Sequence, residues 1–420
     1  MNAPETLVLA DGHARDKPLA SPLSPDFADN PYATYARWRA EGPLLWSDAF
    51  FGGAWLLTRH ADVESALRDV RLSAQRTGGW VMDVAEGDRA GLTPFQRLFT
   101  RALLFLDAPE HTRLRQVLMP AFRPQRLQAL QPEIEQFAAE LVQGIAPGED
   151  FDFMERIARP LPVRVIARLM GVDLSLETDF MRWADDIAAF IGAVRPSPEQ
   201  TRLAQRSTLE MADYFERDLL PRRRRDPQDD LVTELVQARD DGRISSDAEL
   251  LAQCAMLLFA GYETTRNLLG NGMLVLMQHR AQWELLCRQP ELVPGSIREL
   301  LRFDSPVQWT GRRVARSLTL HGQPLRRGEL VLPMIGCANH DPDRHADPET
   351  LDVQRDNPGA LSFGSGPHVC IGAALTQLEA QTLFAQLVLR LPGLQLAGAV
   401  ERNGNPVYRG ILRLPMRAAT

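Results

Sequence analysis

Cysteine is scarce and scattered: four in 420 residues, at Cys254, Cys287, Cys337 and Cys370, with no C-x-x-C pair. That spacing excludes structural zinc and iron–sulfur clusters. It also makes a disulfide framework untenable and points to a reducing compartment, the cytoplasm. Lysine is scarcer still. Lys17 is the only one and every other basic residue is arginine, so an anion bound here meets planar, forked donors. No run reaches the roughly 18 apolar residues that span a bilayer. The first residues carry no signal core either, since Leu7 to Ala10 is short and no basic residue precedes it. With 47 basic against 54 acidic residues the net charge is -7, which argues against nucleic acid as a partner. A Gly-rich dinucleotide fingerprint is missing as well.

What remains is ordinary globular material, 45% hydrophobic and 24% charged. Residues 1–25 read as a flexible leader and 26–420 as one domain. Apolar residues recur at three- and four-residue spacing from about Pro124 to Arg302, notably in Gln128 to Ile145 and Leu251 to Leu286, so the middle is helical. Ala54 to Thr58 reads as a strand. Leu318 to His321 and Glu329 to Met334, on either side of a Gly-Gln-Pro turn, read as a hairpin. The arginine run 222–225 before an Asp-Pro turn reads as a solvated helix end.

The sharpest segment is Phe363-Gly-Ser-Gly-Pro-His-Val-Cys370-Ile-Gly372. Its glycines let the backbone approach a flat ligand and take positive φ. Ala373 to Leu389 follows as a strong helix former, which puts Cys370 in a turn at a helix N-terminus, where free N–H groups favour a thiolate. A haem iron takes such a thiolate as axial ligand. A lone buried cysteine is ordinarily inert filler; the Phe, Gly, His and Gly around this one reverse that expectation.

This segment resembles the haem-binding loop of the cytochrome P450 family, soluble bacterial type. The likeness extends from Pro31 (PYATYARWRAEGP) to Arg413, with further segments in the family's order. It implies a mainly α (α+β) fold, a helical domain with a small β-rich region. Haem b (iron protoporphyrin IX) then lies between a long central helix and the Cys370 loop, with Phe363, Gly364 and Gly372 shaping that loop.

The central helix opens with a capping-box pattern, Ser246-Asp-Ala-Glu249, and its apolar run continues to about His279. Inside it, Ala260-Gly261-Tyr-Glu263-Thr264-Thr265 places a glycine, a carboxylate and hydroxyls among Met256, Leu257, Leu258 and Phe259. Glycine costs roughly 1 kcal/mol in a helix interior, and buried polar groups cost more unless satisfied, an inconsistency of the kind functional sites carry. By resemblance, Met256, Ala260 and Thr264 face the haem, small Ala260 and Gly261 leave room for dioxygen, and Glu263 with Thr264 relays protons. The competing reading is a threonine bonded back to its own helix and Glu263 in a salt bridge.

Glu299-Leu-Leu-Arg302 is unremarkable by spacing alone. In its place before Pro306 it resembles the family's buried glutamate–arginine pair, with Asn339, Asp341, Pro342 and Arg355 in the segment that follows. His111 and Arg115 are four apart, on one helical face. By spacing they suit a solvated face. By resemblance, they join Arg313 and His368 around the haem propionates, for which arginine forks are well shaped. Where many relatives have a histidine three residues before Phe363, this chain has Ala360. That leaves one donor position open to Arg312, water or another side chain.

Trp80, Met82, Met256, Ala260, Val307, Trp309 and Tyr408 lie where relatives contact substrate; each could equally be core. They describe a greasy pocket for a small molecule. Only 50 residues follow Cys370, so electrons are expected from an external ferredoxin or flavodoxin with its NAD(P)H reductase, docking near Arg113. The expected reaction is monooxygenation with O2 by a monomer. A peroxide-driven peroxygenase and a haem-based sensor or carrier are the alternatives, and Glu263–Thr264 speaks against both.

Overall fold

The computed structural model describes residues 25–75, 93–356 and 359–419. Its axis is the 32-residue helix Asp247–Gln278. Ser246 caps it, its hydroxyl accepting from the Glu249 N–H at 3.1 Å, and Asp247 and Glu249 in the first turn complement the helix dipole. The expected box is only half formed. The Glu249 carboxylate turns to the Ser245 N–H and to Arg113 instead. The helix stops at His279, whose N–H still reaches the Val275 carbonyl. It is buried on nearly every side, as a helix hydrophobic all round must be.

Helices Pro160–Met170 and Glu177–Ile191 pack on one side of this axis, and Val293–Phe303 and Ala373–Arg390 on another. The last of these buries Leu375, Leu383, Phe384, Leu387 and Val388 at helical spacing. The same face carries Glu379, which is 2% exposed and whose Oε2 has no hydrogen-bond partner.

The β structure is small. β1 (Leu44–Ser47), β2 (Ala54–Leu57), β3 (Leu72–Ser73), β5 (Arg312–Val314) and β8 (Leu330–Pro333) form a sheet in the order β1-β2-β8-β5-β3. Here β2 runs parallel to β8 with Trp55 opposite Val331, while β5 is antiparallel to β8 with Arg312 opposite Val331. β4 (Asp150–Asp152), β9 (Leu394–Leu396) and β12 (Pro415–Ala418) make a second sheet, and β10 (Glu401–Arg402) pairs with β11 (Ile411–Arg413).

The hairpin expected from the sequence needs correction. β6 (Leu318–Leu320) pairs with β7 (Gln323–Leu325), and Leu330–Pro333 joins the five-stranded sheet instead. The reason is the turn. His321 and Gly322 both take positive φ, 49° and 79°, the combination whose twist suits a two-residue hairpin loop. Gln323 and Pro324 are therefore already in the return strand.

Candidate functional site

The Phe363–Gly372 loop is held in a fixed shape from several directions. Gly364 and Gly366 take φ of 73° and 72°. A Cβ on Gly366 would lie 2.8 Å from Arg68 Cγ and 3.2 Å from the Leu67 carbonyl, so only glycine lets the loop press on helix His60–Arg68. Arg68 Nε donates to Ser365 Oγ at 2.8 Å, and the Cys370 N–H donates to the Phe363 carbonyl at 2.8 Å.

Cys370 faces a cavity of about 240 Å³. Phe363, Gly364, Val369 and Cys370 form one wall, and Met256, Leu257, Ala260 and Thr264 of the central helix form another. Of the four cysteines, Cys370 alone is exposed. Cys254 and Cys337 are buried, and burial pushes both thiols up to about 12. Protein surrounding its sulfur raises the Cys370 thiol too, and the Gly372 N–H and the Arg115 guanidinium pull it back only in part. Without iron the group is a thiol; a coordinated metal deprotonates it. Gly372 thus acts through its N–H on the sulfur and is not part of the cavity wall.

One end of the cavity is cationic. His111, Arg115, Arg312 and His368 line it, and no carboxylate does among the described residues. The rings of His111 and His368 lie 4.0 Å apart. His111 is 3% exposed, its Nε2 has no hydrogen-bond partner, and burial followed by Arg115 and Arg312 pushes its pKa down, so it is neutral near pH 7. Two guanidiniums and a buried imidazole nitrogen without a hydrogen-bond partner, at an end lined by no carboxylate among the described residues, fit the paired carboxylates of haem. The thiol between them and the central helix fits its iron. No cluster of three His, Cys, Asp or Glu able to hold a bare metal occurs among the described residues.

The sequence placed Arg313 at this end; the structure puts Arg312 there and Arg313 on the adjoining lobe, which shares Cys370 with it. Successive residues of a strand point to opposite faces. In β5 it is Arg312 that is buried beside His111; Arg313 Nη1 donates to the Gly328 carbonyl at 2.9 Å and its side chain lines a neighbouring lobe. Arg312, one of the alternatives for the donor position at Ala360, thus lines the cationic end.

The second lobe, about 210 Å³, shares Leu104, Ala260, Thr264, Val307, Thr310 and Cys370 with the first. Trp309 and Tyr408 line it. Trp309 also packs edge-on to Phe50 at 5.3 Å, and Tyr408 to Phe259 at 5.7 Å. Trp80 and Met82 lie outside the described residues.

Thr264 lines both lobes, with Oγ1 donating to the Ala260 carbonyl at 3.1 Å. Glu263 lines neither. It is 1% exposed, and its Oε1 accepts from Arg266 at 2.8 Å and Asn267 at 2.9 Å. Burial raises its pKa against the pull of Arg266. It faces a separate, polar cavity of about 410 Å³ edged by Asp185, Arg266, Asn403 and Asn405, and Asp185 bridges Arg266 to Arg159. The two residues expected to act together thus occupy different faces of the helix, in the bonding pattern of the competing reading. Gly261 lines neither lobe. Its bare Cα faces Ile166, so its smallness serves helix packing and not dioxygen.

Glu299 and Arg302 are fully buried, with bonds of 2.8 Å from Nε and Nη2 to the two carboxylate oxygens. Arg302 also holds the carbonyls of Asn339 and Pro348, and Glu299 receives Arg355 Nε at 3.1 Å. Asn339 carries this on to the Cys370 loop through Ser362 and the Leu361 N–H. Sequence reasoning missed Gln253. It lines the cavity and pins Leu103 and Arg101 above it, Oε1 accepting at 2.9 Å and Nε2 donating at 2.7 Å. An amide among apolar residues, three positions before Met256, was the signal.

The sequence profile described as Cytochrome P450 matches residues 288–392. Cytochrome P450 107B1 of Saccharopolyspora erythraea is 36% identical over 399 residues, covering 93% of this chain and 96% of that protein. The vitamin D(3) 25-hydroxylase of Pseudonocardia autotrophica is 36% identical over 401 residues, covering 94% of this chain and 95% of that protein. The crystal structure of CalO2 superposes with a TM-score of 0.86 at 31% identity, over 95% of this chain and 98% of that one.

Proposed function

The chain belongs to the cytochrome P450 family, with haem b as cofactor and monooxygenation of a small molecule as its reaction, and from that premise we propose that Cys370 ligates the iron. The observation that carries this is the position of its sulfur. It is the one cysteine that lines the cavity, it faces Ala260 and Thr264 across it, and no carboxylate among the described residues joins the cationic rim. Bound here, haem b supplies the activation of dioxygen, one atom of which enters the substrate while the other leaves as water.

The chain's residues hold and orient the rest. His111, Arg115, Arg312 and His368 take the propionates, and the Gly372 N–H and Arg115 stabilise the thiolate charge. Thr264 Oγ1, released from the Ala260 carbonyl by a rotation of χ1, donates into the cavity. Glu263, whose pKa burial raises, faces the polar cavity on its outer side, from which a proton can reach its carboxylate, while Arg266 lies 2.8 Å from Oε2. To pass that proton inward its carboxyl must part from Arg266. Met256, Ala260, Val307, Trp309 and Tyr408 present a mainly apolar surface to the substrate.

Electrons come from an external ferredoxin or flavodoxin with its NAD(P)H reductase, and the protein works as a cytoplasmic monomer. Among the described residues no helix is long and apolar enough to cross a membrane. Arg113, near which docking is expected, has its guanidinium forked onto Glu249 and the Arg243 carbonyl.

The test is the absorption spectrum of the haem-loaded protein, reduced with dithionite under carbon monoxide. The red-displaced Soret band of thiolate ligation is expected, and Cys370→Ser should lose it while keeping the native circular dichroism. A folded, haem-loaded protein without that band would refute the assignment.

A further inference from the structure

We propose that Gln253 is a specificity-determining positioning residue: by clamping the backbone of residues 101–103 to the central helix it fixes Leu104 where the two lobes join, and so admits slender groups, not bulky ones, to the space before Cys370. The inference rests on the reading that the two lobes hold haem and substrate. Gln253, Met256, Leu257, Ala260 and Thr264 form one stripe of helix Asp247–Gln278, and all line the first lobe. An amide in such a stripe is costly unless it is satisfied, and backbone satisfies this one. Its Oε1 accepts from the Leu103 N–H at 2.9 Å, while Nε2 donates to the Arg101 carbonyl at 2.7 Å and to the Glu249 carbonyl at 3.0 Å. Both of its N–H donors are engaged, so the side chain acts on a ligand through the segment it holds.

That segment is one short helical turn, Leu103–Phe105, and Ala102 before it supplies no side-chain cap. The Leu103 N–H, at the turn's open end, therefore takes its acceptor from Gln253, 150 residues away. Asp107 fixes the other end, its carboxylate accepting from the Ala74 N–H at 2.9 Å and from the Ser73 hydroxyl. Leu103 and Leu104 lie between these two anchors. Leu103 lines the first lobe; Leu104 lines both, together with Val307, Ala260, Thr264 and Cys370. A group moving from Trp309 and Tyr408 toward the sulfur thus passes a leucine and a valine, and Gln253 sets where that leucine stands. Without the amide, the Leu103 N–H and the Arg101 carbonyl lose these partners, and the turn must shift to replace them.

The experiment is absorption titration of the full-length, haem-loaded protein with N-octylimidazole and N-adamantylimidazole, two azoles of comparable apolar content and different width, followed by the Soret shift. The unaltered protein should bind the octyl compound at least about tenfold more tightly, the scale on which an overpacked group is felt. Gln253→Leu should bring that ratio below about threefold, mainly by admitting the adamantyl compound. Leu104→Ala should do the same, and Gln253→Leu added to it should change the ratio by less than about twofold, because both act at one place. Gln253→Glu keeps an acceptor for Leu103 without the donor for Arg101, and its ratio should fall between; if Gln253→Leu does not load haem, this variant decides. An amide with a structural role alone would lower the urea midpoint when replaced and leave the ratio where it was. That result, or no preference in the unaltered protein, overturns the inference. The carbon monoxide band of the same preparations separates the two levels. With the band present and the width preference absent or unmoved, only the role of Gln253 is lost; with the band absent, the reading of the cavity beneath it is lost as well.

Discussion

Replacing Gly261 by alanine sets two effects of opposite sign against each other. In the interior of helix Asp247–Gln278 the substitution should stabilise by about 1 kcal/mol from helix propensity. The added Cβ, however, would lie 2.9 Å from Ile166 Cδ1, 3.0 Å from Cγ1 and 3.5 Å from Cβ. Ile166 is 2% exposed, so the collision falls in the overpacking range of about 1–3 kcal/mol. The net expectation is a loss of about 0–2 kcal/mol. Ile166→Val removes Cδ1 but leaves a γ-carbon near the new methyl; alone it should cost about 0.5–1.5 kcal/mol. Combined, the two should cost less than their sum by about 1 kcal/mol, the coupling of residues in contact. Urea unfolding of the four proteins measures this, and the Soret band per protein should be unchanged, because the methyl faces away from both lobes. A more stable Gly261→Ala that adds independently to Ile166→Val, with altered carbon monoxide binding, would refute the packing argument and restore the reading in which this glycine makes room for a diatomic ligand.

Two further outcomes follow from the buried polar groups. Thr264→Ala removes the only hydroxyl that lines both lobes from the central helix, so hydrogen peroxide released per NAD(P)H consumed should rise several-fold; unchanged coupling would place the proton path elsewhere. Glu379 is held well above the ordinary carboxylate range by burial alone, so on raising pH the unfolded chain releases this proton before the folded one does. Its contribution to stability is therefore fully present below the unfolded pKa and declines as pH rises toward the folded one. Urea midpoints of Glu379→Gln should fall less than those of the unaltered protein between about pH 5 and about pH 8; parallel curves would show that Glu379 does not titrate in this way.

The elements that local chemistry specifies were legible in the sequence. The Ser246 cap, the helix that runs to His279 and the glycine-bounded turn before Ala373 appear where residue types and spacing put them, and the buried Glu299–Arg302 pair appears where the resemblance put it. What escaped depends on partners far along the chain. Which lobe Arg312 and Arg313 each line follows from how β5 pairs with β8, and two adjacent arginines carry no sign of that register. Gly261 needed Ile166, nearly a hundred residues earlier, before its purpose could be read. The acceptors that hold Arg113, Glu249 and the Arg243 carbonyl, are likewise distant in sequence. Gln253 was passed over for the same reason, since an amide becomes a clamp only when Leu103 and Arg101 are beside it.

The parallel pairing of β2 with β8 constrains the order in which the protein can be made. The indole of Trp55 finds its acceptor in Glu329, 274 residues downstream, and Arg409 binds the Ala28 and Asp29 carbonyls across a still longer separation. At ~5–20 residues per second, a ribosome takes roughly 15 to 55 s to deliver Glu329 after Trp55 has emerged. Throughout that interval β2 has β1 along one edge and nothing along the other. An apolar strand with one open edge is a template for association with other nascent chains. Completion of this sheet therefore waits until synthesis has passed Pro333, and the yield of folded protein should depend on chaperone cover during that interval.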